Sequence, residues 1–136
     1  VNLKKGAKNL LTYLQKEGIP IALATSSVES RARMILDNNG ILSLFDHLVF
    51  AKDVKRSKPY PDIFLKACSD LNVLPENCLV LEDSEAGIEA ASRAGIPVIC
   101  IPDLKIPAQS FLNKTEQVFQ DLDAVRDYLE SKREVF

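Results

Sequence analysis

The stretch Cys78–Ala91, CLVLEDSEAGIEAA, climbs through an apolar run, stops on two adjacent carboxylates, Glu82 and Asp83, and continues through Ser84 into a helix-like segment. A short apolar run closed by a turn residue and followed by an alanine-rich helical pattern is a strand–turn–helix unit. The rest of the chain repeats that alternation. IPIALAT, HLVFA and IPVICIP are short apolar strands; GAKNLLTYLQKEG, VESRARMILDNNG, PDIFLKACSDL and DAVRDYLESKR carry helical patterns. The phrase Gly-Ile-Pro occurs at Gly18–Pro20 and again at Gly95–Pro97, each time between a helix end and an apolar strand. Strands apolar along their whole length predict burial on both faces. Alternation with helices predicts an α/β fold: a Rossmann-like, doubly wound parallel sheet with helices on both faces. Ile101–Glu116 is the loosest stretch and is expected to be a surface connection.

The bulk properties narrow the function classes. A chain of 136 residues is one domain in size. Its formal net charge of -2 argues against a general nucleic-acid binder. No apolar run is long enough to span a bilayer, and the first residues lack the apolar core of a secretion signal. The three cysteines, Cys68, Cys78 and Cys100, show no CxxC spacing and are expected to be buried free thiols in a reducing cytoplasm. The single histidine, His47, excludes a histidine metal cluster and is expected at a strand edge.

In a doubly wound sheet, ligands bind outside the carboxyl ends of the strands. The residues there are Thr25-Ser26-Ser27, Lys52-Asp53, Glu82-Asp83-Ser84 and Pro102-Asp103. Each signal has an ordinary reading when taken alone. Asp83 or Ser84 can cap the helix starting near Glu85, the hydroxyls of Thr25 and Ser26 can cap another, and Lys58 can be a solvated lysine beside Lys55 and Arg56. Together they make a phosphate environment. Two carboxylates suit Mg2+, which takes one or two protein carboxylates and completes its octahedron with water and phosphate oxygens. Lys58, set before Pro59, supplies a fixed ammonium, and Thr25 and Ser26 supply neutral donors.

These strings resemble motifs of the haloacid dehalogenase-like hydrolase superfamily, in particular its phosphatase and β-phosphoglucomutase-like branch. IALATSS resembles the second motif, SKPYPDIF the third and LVLEDSEAGIEAA the fourth, in the family's order, over roughly Leu3 to Pro102. The resemblance implies phosphate binding by Thr25, Ser26 and Lys58, and Mg2+ ligation by Asp83 directly and by Glu82 directly or through water. It implies a phosphatase of a small phosphorylated metabolite, such as a sugar phosphate, working through an aspartyl phosphate. The same motifs fit a β-phosphoglucomutase-like phosphomutase. Ser57 stands where relatives often carry glycine.

The family's first motif, Asp-x-Asp, is not found ahead of ATSS. The only such string, Asp121-Leu122-Asp123, opens a helical run and is expected to cap it. Residues 1–136 are therefore expected to be the C-terminal two thirds of the core domain. The nucleophilic aspartate, the first strand and the substrate-selecting cap are expected upstream of Val1, so the sheet is incomplete without that segment and this piece alone is inactive. A catalytically inactive phosphate-binding module remains a further reading. A receiver-type signalling domain fits less well, because it places its acid pair after the first strand and its lysine after the last.

Overall fold

The computed structural model describes residues 4–103 and 105–134. Val1 and Leu3, from which the upstream segment and the family resemblance were counted, lie outside the described residues. The elements run α1 (Ala7–Lys16), β1 (Ala22–Thr25), α2 (Glu29–Asn38), β2 (His47–Phe50), α3 (Asp62–Leu71), β3 (Val80–Glu82), α4 (Glu85–Ala94), β4 (Val98–Cys100), α5 (Gln109–Leu112), β5 (Gln117–Val118) and α6 (Leu122–Glu134). Every strand pairing is parallel: β1 with β2, β3 with β4, and β4 with β5. The fold is the α/β class that the alternation predicts.

The period-two geometry of a strand divides the core. Along β4, Val98 and Cys100 enter one hydrophobic cluster with Ile63, Phe64 and Ile88, while Ile99 enters another with Leu10 and Val125. Helices α3 and α4 thus cover one face of the sheet, and α1 and α6 the other. No pairing joins β1 to β3 among the described residues, so the sheet falls into a β1–β2 part and a β3–β4–β5 part.

The two Gly-Ile-Pro phrases have one cause. Gly18 and Gly95 lie at φ 72° and 74°, in the left-handed region that glycine enters without a Cβ clash. Each helix then closes in the same way. The N–H of Ile19 reaches the Leu14 carbonyl at 2.9 Å, and that of Ile96 reaches Ala91 at 3.0 Å. The chain is thereby turned from helix end to strand start.

Several expectations need correction. The strand ending in Thr25 was expected to be buried on both faces, yet all four residues of β1 are only half-buried, because among the described residues β1 has a strand neighbour on one edge alone. The stretch Ile101–Glu116 is more than a surface connection: Ile101 and Pro107 are buried and it contains α5. The two-residue strand β5 follows it. Elements this short carry no readable hydrophobic period, and β5 is held by backbone bonds to β4, with Phe119 N–H meeting the Cys100 carbonyl at 2.9 Å. Cys68 and Cys100 are buried free thiols, but Cys78 is half-buried. The Cys68 and Cys78 sulfurs approach to 3.1 Å, a proximity that their ten-residue spacing did not reveal. His47 opens β2 and is exposed, and Asp121 caps α6 by accepting from the Ala124 N–H at 2.9 Å, both as expected.

Candidate active site

The site residues stand where strands end and helices begin. Glu82 is the last residue of β3, and Asp83 follows it. Ser84 caps α4, its Oγ accepting from the Gly87 N–H at 3.0 Å. The helix cap and the acid pair are therefore both present, and they involve different side chains.

The two acids have opposite surroundings. The Glu82 side chain is only 10 % exposed. Its Oε1 accepts from the N–H groups of Asp83 at 3.0 Å and Ser84 at 3.3 Å, and from Ser84 Oγ at 3.2 Å. Its Oε2 receives Lys58 Nζ at 2.9 Å. Asp83 is 38 % exposed, with the Lys4 ammonium 3.5 Å from Oδ2. Burial works to raise the Asp83 carboxyl, but hydrogen bonding with Glu82 and the Lys4 charge outweigh it and hold the group below the ordinary aspartate range. Asp83 therefore stays ionised at neutral pH and faces solvent.

Lys58 is the hinge of the arrangement. It precedes α3, and the Lys58–Pro59 peptide is cis. Its side chain is 14 % exposed. Besides Glu82, Nζ donates to the Ala24 carbonyl at 3.3 Å and lies 5.0 Å from the Phe64 ring centroid. Ala24 belongs to β1 and Glu82 to β3, so this one ammonium ties together the sheet parts that no strand pairing joins. The residue after Ala24 is Thr25, whose Oγ1 accepts from the Ser27 N–H at 3.1 Å, leaving the hydroxyl proton free to be donated. Ser26 and Ser27 are exposed beside it.

Thr25, Ser26, Lys58, Glu82 and Asp83 are thus gathered at the carboxyl ends of β1 and β3. Lys52 and Asp53 are turned to other tasks: Lys52 pairs with Glu29, and Asp53 accepts from the Phe50 N–H at 2.9 Å. Asp103 shares Lys4 with Asp83, at 3.8 Å. Asp83, Ser84, Asp103 and Lys105 border an open depression of about 370 Å³.

The donor set tests the metal expectation. Asp83 offers oxygens to a hard cation, opposed only by a partly exposed ammonium. The Glu82 oxygens already hold four protein donors, which suits contact through water. Among the described residues no group of three or more His, Cys, Asp or Glu side chains could hold a metal ion. An oxygen set this small fits Mg2+, which keeps waters and substrate oxygens in its shell.

Sequence reasoning missed Lys4 and Gly87. Lys4 carries no motif, and its approach to Asp83 is a tertiary fact. Gly87 did leave a signal: a glycine inside an otherwise alanine-rich helix is unfavourable unless packing or function requires it.

The chain matches the haloacid dehalogenase-like hydrolase family over residues 1–101. It is 40% identical over 121 residues to validoxylamine A 7'-phosphate phosphatase of Streptomyces hygroscopicus subsp. limoneus, covering 89% of this chain and 56% of that one. It is 41% identical over 95 residues to the β-phosphoglucomutase of Bacillus subtilis, covering 70% and 41%. A hydrolase of this superfamily from Deinococcus radiodurans, solved with bound phosphate and sodium, superposes with a TM-score of 0.83 at 27% identity, covering 96% of this chain and 60% of that one. The chain spans about half the length of the curated relatives it matches. No helix of the described residues is long and apolar enough to cross a membrane.

Proposed function

The chain belongs to the haloacid dehalogenase-like hydrolase family, and from that premise we propose that the whole protein is a Mg2+-dependent phosphatase of a small phosphorylated metabolite such as a sugar phosphate. The observation that carries this reading is the Lys58 ammonium, held between Ala24 of β1 and Glu82 of β3. It brings a neutral donor and a fixed cation, the groups that a phosphoryl dianion requires, to the same end of the sheet as an exposed carboxylate suited to holding a metal ion. The named phosphatase among the relatives supports the same reaction class.

In this reading residues 1–136 are the C-terminal two thirds of the core, and the nucleophilic aspartate, the first strand and the cap come from an upstream segment. The relatives' greater length and the β1 and β3 edges that are unpaired among the described residues support that division. Thr25 and Ser26 orient the phosphoryl oxygens by donating to them. Lys58 neutralises charge on the equatorial oxygens as the upstream carboxylate oxygen bonds to phosphorus and the bond to the leaving alcohol breaks. Water then cleaves the acyl phosphate, returning the carboxylate and releasing inorganic phosphate. Asp83, with Glu82 through water or directly, would hold Mg2+, which when bound supplies further positive charge to the phosphoryl oxygens. Unpaired cysteines support a cytoplasmic location, and the acidic net charge supports a small-molecule partner over nucleic acid.

A second reading is favoured by the Bacillus subtilis relative: a phosphomutase, in which the phosphoryl group returns to a sugar instead of passing to water. Phosphate release by the full-length protein from a panel of sugar phosphates, with Mg2+ and with excess chelator, tests these readings. The phosphatase reading expects Mg2+-dependent release. Release unaffected by chelator removes the metal assignment. Interconversion of sugar phosphates without net release selects the mutase.

A further inference from the structure

We propose that Gly87 is a positioning residue: its missing side chain makes the cradle in which Glu82 holds Lys58 at the phosphate site. The inference rests on the phosphoryl-transfer reading for its consequence but on geometry for its substance. Gly87 is the third residue of α4 and is buried. A Cβ built there would lie 2.0 Å from Glu82 Cδ, 2.1 Å from Cγ and 2.2 Å from Oε2. Oε2 is the oxygen that receives Lys58 Nζ at 2.9 Å. One methyl group would therefore occupy the space of the carboxylate that fixes the ammonium.

The carboxylate cannot swing aside cheaply. Its other oxygen is pinned by the Asp83 and Ser84 N–H groups and by Ser84 Oγ. Ser84 Oγ is in turn held by the Gly87 N–H at 3.0 Å. Gly87 thus acts twice, by donating its N–H to the serine that steadies Glu82 and by leaving room for Glu82 itself. Its backbone lies outside the left-handed region, where Gly6, Gly18, Gly40 and Gly95 are found, so conformational freedom does not account for it. Alanine, a better helix former, already fills four of the ten positions of α4. Glycine at this one position is explained by the Glu82 side chain against it.

The test is a double-mutant cycle in the full-length protein with Gly87→Ala, Glu82→Ala and the pair combined. The activity-independent readout is the rate at which acetic anhydride modifies the Lys58 amine, followed by mass spectrometry. The functional readout is kcat/KM on a sugar phosphate that the wild type hydrolyses. Gly87→Ala alone should expose Lys58 and raise its acetylation rate, and should lower kcat/KM by about 100-fold, the scale of an ångström-sized misplacement. In the Glu82→Ala background the same change should alter either readout by less than about 2-fold, because additivity fails only for groups in contact. Equal effects in both backgrounds, or none in the wild type, would overturn the proposal. If Gly87→Ala lowers the melting temperature severely, the double variant should recover it, and a double variant no more stable than Gly87→Ala also overturns it. Absence of turnover in the wild type counts against the phosphatase reading alone, since Lys58 acetylation still reports on Gly87.

Discussion

Strands β1 and β4 are both written in small and apolar residues, Ala-Leu-Ala-Thr in one and Val-Ile-Cys in the other. All three residues of β4 are buried, while all four of β1 are half-buried. The difference lies in their neighbours. β4 is flanked by β3 and β5, whereas among the described residues β1 pairs with β2 alone. Burial along a strand is thus a property of the sheet around it, and an apolar run announces a strand without announcing its cover. The same division recurs at the site. In the proposed site the β1 part would supply the uncharged donors Thr25 and Ser26 and the β3 part the carboxylates, while the Lys58 ammonium contacts both parts.

Substitutions on either side of that division should have unequal effects. Asp83→Asn removes the exposed charge proposed to hold Mg2+ and should lower kcat/KM of the full-length protein by about 10³-fold, in line with several kcal/mol for metal-borne charge stabilisation. Thr25→Val removes one neutral donor to a charged oxygen and should cost about 10- to 100-fold. Steady-state kinetics at saturating Mg2+ compares them, and an equal or reversed order would break the assignment of charge to one part and neutral donors to the other.

Stability should divide similarly. Ile88, fully buried against the β3–β4 part, should lose about 2–5 kcal/mol on Ile88→Ala. Leu23→Ala, in half-buried β1, should lose about 1–2 kcal/mol, less than a fully buried side chain. Urea midpoints of the two variants settle the contrast, and a Leu23→Ala loss as large as that of Ile88→Ala would show that β1 is sealed in the whole protein by a neighbouring strand.

A smaller effect concerns pH. Burial, and next the neighbouring Cys78, push the Cys68 thiol from its ordinary value near 9.0 up to about 12. The folded state therefore keeps a proton that the unfolded chain gives up. This contribution is fully present below about pH 9 and is lost as pH rises through about 12. Denaturation midpoints should decline over that window, and Cys68→Ala should flatten the decline whatever its cost at neutral pH. An unchanged slope would remove Cys68 as its source.

Much of this was legible in the sequence because it is written locally. Strand–helix alternation gave the α/β class, Gly-Ile-Pro marked two helix closures, the strand-end rule picked out Thr25, Glu82 and Asp83, and the string around Pro59 picked out Lys58, before their proximity was visible. The features that escaped depend on distant pairing. β5 is two residues long and exists because β4 presents an edge to it. Lys4 meets Asp83 across a separation that no motif spans. The unequal environments of Glu82 and Asp83 follow from Lys58, Ser84 and Gly87 closing around only one of two chemically similar neighbours.

The central claim is that Lys58 joins two sheet parts into one phosphate site, and Lys58→Met in the full-length protein tests it most directly. Its kcat/KM on the best sugar phosphate should fall by about 10²–10³-fold, the scale of losing one preorganised donor to the transition state, while circular dichroism shows the fold retained. A folded Lys58→Met protein with kcat/KM within about 3-fold of wild type, less than 1 kcal/mol of transition-state stabilisation, would contradict the account.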